Sequence, residues 1–171
     1  AIVNTVNCVG AMGKGIALQL KEEYPKNFTI YANACKSGEL VPGKLLITKE
    51  KNRSGEEKTI INFPTKLNWR NPSKYEYIKD GLTELVKAIE ENQITSIAIP
   101  PLGCGNGGLK WETVKGLIED AMKDVEADIY IYEPNTEIKS ILQVDSTTKD
   151  AKLTPPRGLI TYAMYYYDSL G

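Results

Sequence analysis

The stretch IVNTVNCVGAMGKGIALQL, residues 2–20, decides the fold. Ile2 and Val6 are apolar and β-branched, which predicts a short buried strand. Asn4 and Asn7 place amide side chains toward the end of that strand. A glycine-containing loop follows, and then apolar residues at helical spacing. The stretch therefore predicts a strand, a loop and a helix in direct succession.

The loop of this stretch contains Gly10, Gly13 and Gly15, which allow the backbone to come close to a ligand. The helix that follows directs free N–H groups and the positive end of its dipole at the loop. We therefore expect a phosphate or pyrophosphate site, with Asn7 hydrogen-bonding a sugar. The alternative is a tight turn whose glycines serve only packing. The spacing matches neither a P-loop nor the G-x-G-x-x-G dinucleotide loop.

The composition predicts one domain and excludes several classes of catalyst. The 171 residues include no histidine, which removes Ser-His-Asp and Cys-His catalysis and most zinc sites. Cys8, Cys35 and Cys104 are odd in number and unpatterned, which indicates reduced thiols in a cytosol. The sequence has no signal peptide and no apolar run of membrane-spanning length, so we expect no membrane partner. The chain begins inside a strand, so we expect a trimmed N-terminus.

Strands and helices are predicted to alternate along the chain. After the first helix we expect a helix at 27–36, a hairpin of strands at 44–49 and 58–63, a helix opened by a Ser73–Glu76 capping box, a strand at 96–99, a helix over 114–125 and a strand at 127–132. A short helix and a polar linker are expected at 135–153, and a closing helix at 154–171. The expected division is therefore a domain of residues 1–153 followed by a C-terminal helix. The alternation predicts an α/β fold with a mixed sheet, because a hairpin is included.

Three loops are predicted to form one cleft. Residues 7–15, 64–70 and 101–109 each follow a strand that should run in the same direction. Open α/β sheets bind ligands at the carboxyl ends of such strands. The third loop, LGCGNGG, has four glycines in six residues directly before a helix, which favours a backbone nest for phosphate. Within it, Cys104 is either a nucleophile or a small packed residue, and the lack of a histidine base favours packing.

Lys66 is the candidate catalytic residue. It is expected just past a strand end, between Phe63 and Trp69, with Arg70 close by. Aromatic neighbours and a second cation lower the proton affinity of an amine and make it a usable nucleophile. The alternative is a surface lysine in a polar loop.

Positive charge is concentrated between residues 44 and 79. Nine lysines and arginines lie there against four glutamates, in a chain whose net charge is −1. Aromatic residues are interleaved with these cations, a mixture that suits single-stranded nucleic acid. We expect Trp69, Arg70 and Lys74 to contact DNA, and a solvated lysine-rich face is the alternative.

Several separated motifs resemble the macrodomain family, an α/β fold that binds ADP-ribose. IVNTVNCVGAMGKGIALQL resembles the first strand and distal-ribose loop of that family, and IPPLGCGNGGLKW resembles its pyrophosphate loop. INFPTKLNWRNPS and LTPPRGLI further resemble the DarG-type macrodomains, antitoxins that remove ADP-ribose from DNA bases modified by DarT toxins. The resemblance implies a three-layer α/β/α sandwich with a mixed, mostly parallel central sheet.

The resemblance also implies an activity and a set of site residues. Expected is a bacterial, cytoplasmic DNA ADP-ribosyl glycohydrolase without a cofactor or metal, acting on ADP-ribosylated single-stranded DNA, with the toxin DarT as a candidate partner. Lys66 would engage the anomeric carbon of the distal ribose and Asn7 would orient that ribose. The residues expected to bind ADP-ribose are Asn4, Cys8, Val9, Gly10, Met12, Gly13, Gly15, Ile16, Thr65, Pro101, Leu102, Gly103, Cys104, Gly105, Asn106, Gly107, Gly108 and Leu109.

Two departures from the family pattern keep other functions open. The human-type glycohydrolase pairs its lysine with an Asp in the second glycine loop, where this chain has Gly107. The family's preceding strand, with a Gly-Asp pair that reads adenine, is not in this sequence, so the adenine contact is unassigned. A non-catalytic ADP-ribose reader, a glycohydrolase acting on modified protein and a generic nucleotide-binding domain are the alternatives.

Overall fold

The computed structural model describes residues 1–134, and the expectations for residues 135–171 lie outside this range. The described elements are, in order, β1 (Ile2–Asn7), α1 (Gly15–Glu23), α2 (Pro25–Lys36), β2 (Leu46–Lys51), β3 (Glu57–Lys66), α3 (Tyr75–Glu91), β4 (Ser96–Ile99), α4 (Trp111–Met122) and β5 (Asp128–Ile131). No helix within this range combines the length and the apolar character that crossing a bilayer requires.

The described strands form one mixed sheet in the order β2-β3-β1-β4-β5. β1 lies parallel to both β3 and β4, and β4 lies parallel to β5. β2 alone among these strands runs antiparallel, because it is joined to β3 by the predicted hairpin. The mixed, mostly parallel sheet is therefore confirmed.

Two helices cover each face of the sheet, which confirms the three-layer sandwich. Residues of β1, β3 and β4 such as Val3, Phe63 and Ile99 form the larger core with α3 and α4. The opposite face carries a smaller core in which Val6 packs with Tyr31 of α2. The side chains of neighbouring strand residues point to opposite faces, so β1 is buried on both sides, as central parallel strands are.

A buried polar network joins α2 to the sheet. The carboxylate of Glu50 in β2 accepts the backbone N–H groups of Lys26 (3.2 Å) and Asn27 (2.8 Å), which are donors that a helix N-terminus leaves without intrahelical partners. The Asn27 side chain in turn accepts hydrogen bonds from Asn62 (2.6 Å) and Thr48 (2.8 Å). A strand side chain thus provides the cap of α2 and fixes where that helix begins.

Two local predictions are corrected. Lys66 is the last residue of β3 and does not lie past the strand end. The strand continues through Pro64, because the ladder to β2 stops at Asn62 and the proline lies where one side of β3 has no partner strand. The Ser73–Glu76 capping box is also wrong: α3 begins after Lys74, and the backbone N–H of Ser73 bonds the carbonyl of Gly107 at 2.9 Å.

Candidate functional site

The three predicted loops lie at one edge of the sheet and are joined by hydrogen bonds. The backbone N–H of Cys8 in the first loop donates to the carbonyl of Leu67 in the second, at 3.0 Å. Ser73, which follows the second loop, donates its backbone N–H to the carbonyl of Gly107 in the third loop. Since β1, β3 and β4 are parallel, their carboxyl ends bring these loops together, as the sequence predicts.

Lys66 lies where all three loops meet. Its Cα is paired with that of Asn7 in the ladder between β1 and β3, next to an irregularity in the register. Its Nζ donates a hydrogen bond of 2.8 Å to the backbone carbonyl of Asn106 in the third loop. Only 7% of the residue is exposed, and burial lowers the pKa of the amine below its ordinary value of 10.5. No carboxylate within residues 1–134 forms an ion pair with it, so more of the amine is neutral than in an exposed lysine.

Asn7 holds the first glycine loop in shape. Its Oδ1 accepts the N–H groups of Val9 (3.0 Å) and Ala11 (3.3 Å), and its Nδ2 donates to the carbonyl of Ala11 at 2.6 Å. The hydroxyl of Tyr31 donates to the Asn7 carbonyl at 2.8 Å, with Oδ1 3.2 Å away. Because Oδ1 is surrounded by donors, the second hydrogen of Nδ2 is what the side chain retains for a ligand. Asn7 is thus restricted to donating.

The other predicted residues of the first loop differ in what they can offer. Gly13 and Gly15 are exposed and have open space around the position of a Cβ, whereas Gly10 (φ +80°) faces Ala32 of α2. Of the remaining members, Val9 is exposed and Cys8 and Ile16 are half-buried. Asn4 and Met12 are buried. Asn4 is fully buried and donates to Asn62 at 3.0 Å. The approach to this loop is therefore through its backbone.

The second glycine loop is compact. Gly103 adopts a left-handed φ of +70°, and its carbonyl accepts the N–H of Leu109 at 3.1 Å. A Cβ on Gly107 would lie far inside contact distance of Ser73 Oγ and of the Gly103 carbonyl oxygen. The backbone conformation therefore has no room for a side chain at position 107.

Side chains of the second glycine loop point in two directions. Leu102 and Cys104 are buried in the larger core, so only their backbone can face a ligand. The burial of Cys104 agrees with packing and not with nucleophilic chemistry. Gly105, Asn106 and Gly108 are exposed, while Pro101 and Leu109 are half-buried. Thr65, at the end of β3 and outside this loop, is buried. The exposed backbone of this loop is what a diphosphate would meet.

The cysteines of the first loop region are poor nucleophiles. Burial, together with the nearby Cys35, raises the pKa of the Cys8 thiol to about 11. Burial likewise raises the pKa of Cys35, whose Sγ lies 3.8 Å from the carbonyl of Asn7. A thiol rather than a thiolate predominates at neutral pH, which leaves Lys66 as the nucleophile that this site offers.

The basic stretch does not form one patch. Lys58 lies near the start of β3 and Lys66 at its end, so about 25 Å of strand separates them. The cations near the hairpin turn, at residues 49–58, therefore lie at the opposite edge of the sheet, and Arg53 there faces Glu23 at 3.7 Å. Arg70 and Lys74 are exposed and lie between Lys66 and the start of α3. This part of the sequence interpretation is corrected because the hairpin reverses the chain.

Three features of the site had no clear sequence signal. Tyr31 supports Asn7 from another element, α2, and no motif in the sequence pointed to it. Ser73 is 6% exposed and its Oγ has no hydrogen-bond partner within residues 1–134. The contact of Lys66 with Asn106 uses a backbone oxygen, which side-chain patterns cannot reveal.

Comparison with known proteins identifies the family. The Macro domain family model matches residues 3–118, more than half of the chain. The DNA ADP-ribosyl glycohydrolase of Mycobacterium tuberculosis is 47% identical over 168 residues, which cover 98% of this chain and 46% of that protein. The chain thus spans about half the length of the curated relative it matches.

Two solved structures agree with this comparison. The macrodomain of Mycobacterium tuberculosis DarG superimposes with a TM-score of 0.75 and 52% sequence identity, covering 78% of this chain and 88% of that one. Thermosipho africanus DarTG in complex with ADP-ribose superimposes with a TM-score of 0.72 and 34% identity, covering 78% of this chain and 37% of that one. The sheet, the two glycine loops and the family match lead to one conclusion: this chain belongs to the macrodomain family.

Proposed function

We propose that this chain is a DNA ADP-ribosyl glycohydrolase that removes ADP-ribose from a modified DNA base, with Lys66 as its catalytic residue. The observation that carries the proposal is the buried Lys66 amine, held 2.8 Å from the Asn106 carbonyl at the meeting point of the glycine loops. The name of the mycobacterial relative, DNA ADP-ribosyl glycohydrolase, supports the substrate class. The ADP-ribose in the Thermosipho complex supports the ligand.

In the proposed reaction the neutral Nζ of Lys66 forms a bond to C1 of the distal ribose as the bond from C1 to the base nitrogen breaks. The amine gives up one proton and the departing base takes up one. Water then replaces the amine at C1, which restores Lys66 and releases ADP-ribose. The lowered pKa of Lys66 favours the neutral form that the first step needs.

The other site residues bind and orient the substrate in this proposal. The remaining N–H of Asn7 donates to a hydroxyl oxygen of the distal ribose. Backbone N–H groups of both glycine loops bind the diphosphate, as clustered backbone donors do for anions. The residues named in the sequence analysis for ADP-ribose contact remain predictions, with Leu102 and Cys104 limited to their backbone.

We propose a DNA ADP-ribosyltransferase as the functional partner, since its product is the substrate of this reaction. The DNA strand would leave the cleft beside Trp69, Arg70 and Lys74, which follow Lys66 on the exposed side of the second loop. Physical contact between the two proteins would appear as co-elution in size-exclusion chromatography at micromolar concentration.

The test is turnover of an ADP-ribosylated single-stranded oligonucleotide, with released ADP-ribose measured by chromatography. The parent chain should release ADP-ribose, and Lys66→Met should be at least about a thousandfold slower because the nucleophile is lost. Lys49→Met is the matched control, since Lys49 is exposed on β2 and lies away from the cleft. Equal rates for Lys66→Met and Lys49→Met would refute the mechanism, and binding of ADP-ribose without turnover by the parent would leave a reader domain.

A further inference from the structure

An exposed apolar strip borders the cleft beside Lys66. It consists of Val9 (49% exposed), Leu67 (46%) and Trp69 (53%), and we refer to these residues as the apolar strip. The hydrogen bond from Cys8 to Leu67 holds the first and second loops together at this point. Three large apolar side chains left in water next to a binding cleft indicate a contact surface.

The outer end of the strip is a preorganised turn. The N–H of Asn71 donates to the carbonyl of Asn68 at 3.0 Å, and the N–H of Arg70 donates to the Asn68 side chain at 3.0 Å. These bonds place Trp69 and Arg70 at the two corners of a β-turn. The guanidinium carbon of Arg70 lies 4.7 Å from the centroid of the Trp69 ring. The cation covers one face of the indole, and the exposure of Trp69 leaves the other face for a ligand.

The chemistry of the strip selects its occupant. A stable protein interface buries about 800 Å² on each partner, which three side chains do not supply. An aromatic face beside a cation is the arrangement that binds a nucleobase and its phosphate in single strands. Three residues span at most about 11 Å, so Trp69 is within reach of a nucleotide one to three positions from the base at Lys66, at about 3.4 Å per stacked nucleotide.

We propose that the apolar strip stacks a nucleobase neighbouring the modified one, with Arg70 pairing with the adjacent phosphate, and so makes the chain select single-stranded DNA adducts over the same adduct on a free nucleoside. This inference rests on the proposed function and specifies its substrate. A duplex buries its base faces, so the strip has nothing to stack against there. Selection for single strands then comes mainly from Trp69 and Arg70, which are not among the residues predicted to contact ADP-ribose.

The test compares two substrates with the same ADP-ribosylated base, a nucleoside adduct and a short single-stranded oligonucleotide. Trp69→Ala should lower kcat/KM on the oligonucleotide about tenfold, the size of one lost stacking contact, and leave the nucleoside adduct unchanged. Trp69→Phe should stay within about threefold of the parent on both, because a ring remains. Ile30→Ala is the matched control, since Ile30 is 47% exposed on α2. Equal losses of kcat/KM on both substrates would overturn the proposal, since Trp69 would then act through the position of Lys66 and not through the DNA.

A binding measurement keeps this inference separate from the glycohydrolase proposal. The chain has two tryptophans, so Trp111→Phe leaves Trp69 as the fluorescent reporter. Unmodified single-stranded oligonucleotide should quench this emission more strongly than a duplex of the same length. Arg70→Gln should reduce the slope of log K against log salt by about 0.7, the value of one phosphate contact on a single strand. Quenching without turnover would reject the glycohydrolase alone, and turnover without quenching would reject the strip alone.

Discussion

Gly107→Ala is predicted to disrupt the second glycine loop, although it adds one methyl group. The new Cβ would lie 2.9 Å from the carbonyl carbon of Gly103 and closer still to its oxygen and to Ser73 Oγ. Ser73 can rotate away, but the Gly103 carbonyl is backbone and accepts the N–H of Leu109. The loop must therefore shift, which breaks that bond and the bond from Ser73 to Gly107.

The magnitude follows from these contacts. Two hydrogen bonds contribute about 1 kcal/mol each, and forcing a methyl group into a packed site costs about 1–3 kcal/mol. The expected loss in the free energy of unfolding is therefore about 3–5 kcal/mol. The same shift would move Asn106 and so release the amine of Lys66, and turnover should fall with stability.

The matched control is Gly105→Ala in the same loop. A Cβ on Gly105 meets nothing within 4 Å, and its φ lies outside the left-handed range. Its free energy of unfolding should change by less than about 1 kcal/mol. Urea unfolding of both variants, followed by circular dichroism, measures the difference at constant m-value.

A second variant tests the origin of the cost. Ser73→Ala combined with Gly107→Ala removes the hydroxyl but not the clash with the Gly103 carbonyl, so it should recover less than half of the loss. If the free energies of unfolding of Gly107→Ala and Gly105→Ala differ by less than about 1 kcal/mol, the loop can accommodate the methyl group. The steric argument for glycine at position 107 would then be wrong.

Three further predictions concern the amine, its neighbour and the buried cap. The value of kcat/KM should rise with pH and level off above an apparent pKa that is lower than 10.5, because the neutral fraction of Lys66 increases until the pH passes its lowered pKa. A flat profile from pH 6 to 9 would refute attack by the amine. Tyr31→Phe should lower kcat about tenfold with KM nearly unchanged, because one hydrogen bond positioning Asn7 is lost; an unchanged kcat in steady-state assays would contradict this role. Glu50→Gln should lower the free energy of unfolding, measured in urea, by about 1–3 kcal/mol, because an NH₂ group replaces one of the two carboxylate oxygens that accept N–H groups at the start of α2. Glu57→Gln changes an exposed residue and should have little effect. Equal losses in the two variants would show that the cap is not responsible.

The fold was predictable because apolar residues recur at the spacing of strands and helices along the sequence. Alternating apolar segments predicted the strands and helices, and parallel strands necessarily bring their carboxyl ends to one edge. Asn7 and Lys66 were therefore expected to meet without any knowledge of distances, and their paired Cα atoms confirm this. The antiparallel hairpin also explains why the cations at residues 49–58 are far from the cleft, which a charge count along the sequence cannot show.

Two local features were predicted wrongly because contacts between residues distant in sequence decide them. Ser73 and Glu76 have the spacing of a capping box, but the backbone of Ser73 bonds Gly107, more than thirty residues away. Pro64 normally marks the end of a strand, yet the neighbouring strand had already ended. In both cases a contact distant in sequence overrode a short-range preference. The predicted roles of individual residues in ADP-ribose contact remain predictions.

The acceptor that holds the Lys66 amine belongs to the main chain of Asn106, whose side chain is exposed. Any amino acid at position 106 supplies the same oxygen, so sequence drift there leaves the anchor of the lysine in place. Asn106→Ala would therefore leave this anchor unchanged, and a homologue with another residue at this position can hold its lysine in the same way.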